Sequence, residues 1–204
     1  MSLYIRHSTK KYDNGKYHER SFDPGLTDEG ALQAYEHFVW LLGTGSPVPE
    51  KIVCSPYLRA RQTAKEAQAA IYNTTGLYIP IIREPRLREY INPKHRIRWT
   101  EEYFYPETLE HTYDIKHVSE QWHQLLKRAD EQVAAHEDNT WYVSHGVVIQ
   151  QIAARFGARA VNLSYPDILG TYRVDHESIT PLHGVTYSTT NVEKDMERDV
   201  EHAV

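Results

Sequence analysis

Cysteine is nearly absent from this chain: Cys54 is the only one in 204 residues. A lone thiol excludes an internal disulfide and fits a reducing compartment. Its place in the apolar run Ile52-Val53-Cys54 reads as a buried, inert side chain. Long apolar runs are missing too, and nothing approaches the ~20 residues of a membrane-spanning helix. The chain enters a strand-like segment at Leu3 without a signal-peptide pattern. The expectation is a cytoplasmic protein with no membrane partner. Excess positive charge is also lacking. The net charge of -5 argues against a nucleic-acid partner. Several signatures do not occur: H-E-x-x-H, G-x-x-x-x-G-K-[ST], G-x-S-x-G, and the RNA-recognition and zinc-finger patterns. There are 12 histidines, which invites a metal site. However, His111, His117 and His123 fall six apart and would scatter around a helix. No metal and no cofactor are expected.

What is present is an ordinary globular composition, 40% hydrophobic, long enough to bury a sizeable core. Leu3-Tyr4-Ile5 reads as a strand ending at Arg6-His7, followed by a polar loop over 8–26. Thr27 predicts an N-cap, with Asp28 and Glu29 in the first turn. Ala31, Leu32, Tyr35, Phe38, Val39 and Leu42 follow at helical spacing and are expected in the core, with Gly43 as the stop. Lys51 to Cys54 is the second strand. Ser55 is expected to cap a helix that starts at Pro56 and runs to about Ile71. Tyr78 to Ile82 reads as a third strand. Val118, Trp122, Leu125, Leu126, Ala129 and Val133 predict another amphipathic helix. A strand over Thr140 to Val143 and a helix over Val147 to Phe156, ended by Gly157, come next. Late strands are expected at Thr171 to Val174 and Val185 to Thr189, with a turn around Pro181 to Gly184.

Alternation of strands and helices predicts an α/β fold: three layers, a mostly parallel central sheet, helices on both faces. A single domain is expected over 1–190, with an irregular lid over 83–117 and a polar tail over 191–204. Ligands of such sheets sit beyond the carboxyl ends of the strands. Arg6-His7, Ser55 and Ser144-His145 all fall at predicted strand ends. Lys10, Lys11, Lys16 and Arg20 crowd one loop, and Arg83 to Arg98 carries a second cationic cluster. Both segments follow or contain these strand-end residues, so an anionic ligand is expected.

Three strings carry the most specific signal: Leu3-Tyr4-Ile5-Arg6-His7-Ser8-Thr9, Ser55-Pro56-Tyr57-Leu58-Arg59-Ala60-Arg61-Gln62-Thr63-Ala64, and Tyr142-Val143-Ser144-His145-Gly146. In this order they resemble the histidine phosphatase superfamily, the phosphoglycerate mutase-like family, from about Leu3 to Tyr187. The resemblance implies phosphoryl transfer through a phosphohistidine. His7 is then the nucleophile, and Arg6, Arg59 and His145 form the phosphate pocket. Guanidinium groups suit that role, because a planar fork pairs with phosphate oxygens and never loses its charge. A carboxylic acid after the third strand is implied as the proton donor, and Leu87-Arg88-Glu89 places it at Glu89. Polar contacts from the loop after the nucleophile are implied as well. Thr9, Asp13 and Asn14 are the candidates there, with Ser8 and Asn14 carried as substrate contacts. The resemblance has glycine where this chain has Ser8, and a Cβ there would cost energy if the backbone needed a positive φ.

The expected function is a metal-independent phosphatase, a phosphomonoesterase of the histidine acid phosphatase type, acting on a small phosphorylated substrate. One alternative is phosphoglycerate mutase-type transfer. The segment from Glu89 to His145 is short for that branch. Another alternative is an inactive protein that binds a phosphorylated ligand. A homo-oligomer is compatible with the sequence. Tyr90, Trp99, Tyr103, Phe104 and Tyr105 beside Arg83 to Arg98 are candidates for the pocket entrance.

Overall fold

The computed structural model describes residues 1–10, 23–90, 120–156, 168–175 and 178–182. Six strands form one sheet: β1 (Ser2–Arg6), β2 (Lys51–Cys54), β3 (Ile81–Arg83), β4 (Thr140–Ser144), β5 (Thr171–Asp175) and β6 (Ser178–Leu182). Among the described residues four helices flank it: α1 (Asp28–Gly43), α2 (Leu58–Thr75), α3 (Trp122–Ala134) and α4 (Gly146–Arg155). The strand order is β3-β2-β4-β1-β5-β6. The first four strands run parallel. β5 is antiparallel to β1, and β6 to β5. The sheet is thus the mostly parallel one expected, with an antiparallel hairpin at one edge. Among the described residues, no helix is long and apolar enough to cross a membrane.

Strand alternation sorts the core into two layers. Leu3 and Ile5, Ile52 and Cys54, Trp141 and Val143 join the cluster built with α1 and α2. Tyr4, Val53 and Tyr142 point the other way, into the cluster with α3 and α4. Register fixes the match: Tyr4 lies opposite Tyr142, and their rings stack at 4.5 Å. Cys54 is buried, and burial pushes its thiol up to about 12, which makes it inert.

Several local expectations need correction. On α1 the buried residues are Gly30, Ala34, His37, Phe38 and Leu41, while Leu32 is 57% and Val39 39% exposed. Phe38 is in the core as expected, but apolar spacing alone misses the buried Gly30 and His37 and turns Leu32 and Val39 inward. His37 is buried with its Nε2 paired to Thr171 Oγ1 at 2.8 Å, which satisfies one of its two ring nitrogens and leaves Nδ1 buried without a hydrogen bond among the described residues. Ser55 does not cap α2. That helix starts at Leu58, and both carboxylate oxygens of Asp23 accept from the Leu58 N–H at 2.8 Å. It runs on to Thr75, where Gly76 at φ 75° closes it in the left-handed conformation. β3 is Ile81–Arg83 rather than Tyr78 to Ile82, because only those residues pair with Ile52, Val53 and Cys54. Pro181 lies inside β6, opposite Tyr172. It needs no N–H there because β6 is the sheet edge. The Val185 to Thr189 strand, Val118, Gly157, residues 91–117 of the expected lid and the tail over 191–204 lie outside the described residues.

Thr27 does cap α1, its hydroxyl accepting from the Gly30 N–H at 2.8 Å. The loop after β1 packs hard against that turn. A Cβ on Gly30 would stand 2.4 Å from the Thr9 carbonyl oxygen, whereas one on Gly43 would meet nothing within 4 Å. Gly30→Ala is therefore expected to destabilise by ~1–3 kcal/mol through overpacking. Gly43→Ala, at the end of the same helix, is expected to be neutral or slightly stabilising. Paired thermal melts check this; equal melting temperatures for the two variants contradict it.

Candidate active site

Parallel pairing brings the site together. At the carboxyl end of β1 the His7 N–H donates to Ser144 O at 2.9 Å, and the Ser55 N–H donates to Val143 O at 2.9 Å. The Glu84 N–H donates to Cys54 O at 2.8 Å. The ends of β1, β4, β2 and β3 are therefore level. From them emerge His7, His145, Ser55 and, after a 3-10 turn over Pro85–Leu87, Glu89. Arg59 enters from the first turn of α2.

His7 Nδ1 lies 2.7 Å from the carbonyl oxygen of Ser8. A carbonyl only accepts, so Nδ1 carries the proton and Nε2 carries the lone pair. Arg59 Nε donates to that Nε2 at 3.3 Å. Burial, then the Arg59 charge, then His145, Arg6 and Lys10, hold His7 well below the usual histidine range. The ring is neutral and nucleophilic at neutral pH.

Arg59 Nη2 donates to Glu89 Oε2 at 2.9 Å, and Nη1 lies 3.3 Å from Asp23 Oδ1. Its guanidinium carbon also sits 5.0 Å from the centre of the Tyr57 ring. Glu89 Oε2 is in turn 3.0 Å from His145 Nδ1. Burial alone would raise the Glu89 carboxyl, but His145, Arg59 and His7 outweigh it and keep it ionised. Since Nδ1 of His145 faces a carboxylate, its Nε2 accepts from the Ser55 hydroxyl at 2.8 Å. Burial holds His145 down to about 4, against the opposing pull of Glu89. In the resting site it is a neutral imidazole. The Glu89 side chain is 20% exposed, against 0% for His145 and 4% for Arg59. Of the three, Glu89 has the most contact with solvent.

Arg6, His7, Arg59, Glu89 and His145 are thus brought to one end of the sheet. Arg6 is buried at the end of β1, opposite Ser144 in register. Ser8 is not a free phosphate contact. Its hydroxyl donates to Gly30 O at 2.7 Å and its N–H donates to Thr63 Oγ1 at 3.1 Å. The proton a phosphate oxygen would need is already committed, and the residue serves to tie the nucleophile loop to α1 and α2. Its φ is not positive, since Asn139 and Leu169 are the described non-glycine residues that have one. The Cβ in place of glycine therefore carries no backbone strain. Asn14 lies outside the described residues.

Sequence reasoning missed three members. Asp23 falls in the polar loop over 8–26, yet it holds Arg59 and the start of α2 together. Ser55 is read as a cap, yet it orients His145. Tyr57 walls the pocket edge-on to His145 at 5.4 Å. A buried charge on Arg59 demands more than one anionic partner, and that is the one signal that could have pointed to Asp23.

His7, Glu89 and His145 each offer one ligand atom, all within 4.8 Å of one another. Two imidazoles and a carboxylate match the donor set of a divalent transition metal. Here the Arg59 guanidinium already fills the space between His7 and Glu89. A metal would have to displace it against charge repulsion.

Comparison with known proteins gives the family and the fold. The sequence profile of the histidine phosphatase superfamily, branch 1, matches residues 3–173. No match to the chain is found among curated proteins. Solved structures share the fold at low identity. YhfR of Bacillus stearothermophilus is 22% identical, with 92% of this chain and 97% of that chain covered and a TM-score of 0.59. The mycobacterial glucosyl-3-phosphoglycerate phosphatase is 21% identical, covering 83% and 87%, with a TM-score of 0.53. The phosphoserine phosphatase of Entamoeba histolytica, in complex with 3-phosphoglyceric acid, is 16% identical, covering 94% and 98%, with a TM-score of 0.56. With its profile matched over most of its length, this chain belongs to the histidine phosphatase superfamily.

Proposed function

We propose that the protein hydrolyses small phosphomonoesters in two displacements, through phosphate carried on His7. One observation carries this reading: the Nδ1–H of His7 is spent on the Ser8 carbonyl at 2.7 Å, which leaves a neutral Nε2 directed at the Arg59 side of the cup. Phosphoryl transfer needs such a nucleophile in line, with positive charge around the equatorial oxygens. Arg6 and Arg59 supply that charge, and His145 can donate to phosphate only when the arriving ester draws its Nδ1–H away from Glu89.

In the first step His7 Nε2 bonds to phosphorus, and the bond from phosphorus to the leaving oxygen breaks. That oxygen takes a proton from Glu89. The resting carboxylate is held ionised by its neighbours. An arriving phosphate draws the Arg59 donors to itself and adds negative charge, and both effects raise Glu89 toward protonation. A monoanionic ester brings the proton with it. In the second step the carboxylate takes a proton from water, hydroxide attacks phosphorus, and the bond to Nε2 breaks. Inorganic phosphate leaves and His7 is neutral again. Water is the acceptor in this reading, which makes the protein a phosphatase and not a mutase.

Rapid quenching during turnover of 4-nitrophenyl phosphate tests it. The expected result is protein-bound phosphate that is labile to acid, stable to base, and located on His7. Phosphate stable to acid, or located on another side chain, overturns the proposal.

A further inference from the structure

One cluster among the described residues lies outside the pocket and converges on the segment that carries Glu89. The Leu87-Arg88-Glu89 stretch is not part of any strand, yet three successive carbonyls of it and its neighbour are tied to buried side chains. Arg128 Nη1 donates to Arg86 O at 2.5 Å and to Arg88 O at 2.9 Å. Ser144 Oγ donates to Leu87 O at 2.8 Å. Arg128 is 5% exposed and Ser144 0%, so neither bond competes with water. The other side of the Arg128 guanidinium is engaged by Glu120, which is itself buried and also takes Arg88 Nη2 at 2.9 Å. Leu87 is fully buried between the two clamps.

A surface arginine would have no reason to be buried on two main-chain carbonyls of an irregular segment. Burying its charge is tolerated only with full satisfaction, and Glu120 provides the counter-charge. From these contacts we infer that Arg128 and Ser144 are positioning residues for Glu89, fixing the backbone from which its carboxylate reaches the leaving-group oxygen. Arg128 lies on α3 and Ser144 at the end of β4, so the clamp locks the acid's segment to the same strand end that presents His145. Ser144 thereby gains a purpose within the Ser-His-Gly string.

This inference rests on Glu89 acting as proton donor, and its test separates the two. Substituted phenyl phosphates of graded leaving-group basicity are assayed with wild type, Glu89→Gln, Ser144→Ala, Arg128→Gln and Arg128→Lys. Loss of a donor matters little for 4-nitrophenolate and much for phenolate. Glu89→Gln is expected to lose ~100-fold on phenyl phosphate and under ~5-fold on 4-nitrophenyl phosphate. A misplaced acid gives the same selective pattern, roughly 10-fold to 100-fold for the basic leaving group. Both Arg128→Gln and Ser144→Ala are expected to show it. Arg128→Lys restores thermal stability toward wild type but not the selectivity, since one ammonium cannot span both carbonyls and Glu120. Adding Arg128→Lys or Ser144→Ala to Glu89→Gln is expected to cost nothing further. Equal losses on all leaving groups, or fully additive losses in the double variants, make the clamp merely structural and overturn the inference. A Glu89→Gln variant without leaving-group dependence overturns the donor reading, and the inference with it.

Discussion

His7→Ala is expected to lose roughly 10⁴-fold or more in kcat on 4-nitrophenyl phosphate, the scale of nucleophile removal in enzymes that act through a covalent intermediate. The effect is large because the remaining pocket has no substitute. Nε2 of His145 is occupied by the Ser55 hydroxyl and its Nδ1 faces Glu89. Its ring centre is 5.1 Å from that of His7, edge-on, so it cannot take over an in-line attack from the His7 position. The variant should still fold. The His7 ring bonds to the Ser8 carbonyl and accepts from Arg59 Nε, each worth about 1 kcal/mol net, and Arg59 keeps its ion pairs to Asp23 and Glu89 when the ring is removed. Binding of inorganic phosphate or vanadate should persist, since Arg6, Arg59 and His145 remain. Turnover at the parent rate by this variant would remove the mechanism altogether.

Arg59→Met is expected to fail in a different way, losing both stability and activity. Arg59 bridges two partly buried carboxylates, Asp23 and Glu89, whose side chains are 13% and 20% exposed. Breaking a buried pair by removing one partner costs about 3–5 kcal/mol. In a domain of this size that lowers Tm by roughly 6–20 °C. The sign of the pH dependence follows from the carboxylates. In the parent, Glu89 is held below its unfolded value and contributes stability above that value, which is lost as pH falls. In the variant both carboxyls rise and destabilise at neutral pH, a penalty relieved by protonation. The difference in stability between parent and variant is therefore largest near pH 7 and shrinks toward pH 4. Asp23 is already raised by burial even with Arg59 present, so it should protonate first. Arg59→Lys should recover part of the stability and little of the activity, because one ammonium cannot serve His7, Glu89 and Asp23 together. Chemical denaturation at the two pH values checks this. A pH-independent difference contradicts the shared-counterion role.

The contrast between the two variants shows how the site is built. One residue does chemistry on a local tether. The other joins segments that are far apart in the chain, 23–25, 58–61 and 84–89, into one charged unit. Strong coupling of this kind makes activity and stability hard to separate at Arg59, and easy to separate at His7.

Legibility in the sequence follows the same division. Strands β1, β2 and β4 were readable because their residues are buried on both faces and form continuous apolar runs ending in polar residues. The ends of those runs placed Arg6, His7, Ser55 and His145 together before any coordinates. Arg59 was readable through the string around it. Helix phase on α1 was not, since whether His37 or Leu32 turns inward depends on the Thr171 hydroxyl from a distant strand. The start of α2 was misread for a similar reason: its cap, Asp23, arrives from another loop, while Ser55 was taken by His145.

The sequence by itself determined the order of elements, the parallel core and the inventory of cationic and imidazole groups at the strand ends. Tertiary structure decided how those groups are charged and partnered: a neutral His145, an ionised Glu89 on Arg59, a Ser8 hydroxyl already in use, and an acid held in place by Arg128 and Ser144. The reason is physical. Apolar periodicity is a property of neighbouring residues. Burial, counter-charge and hydrogen-bond satisfaction are properties of residues that meet only after folding.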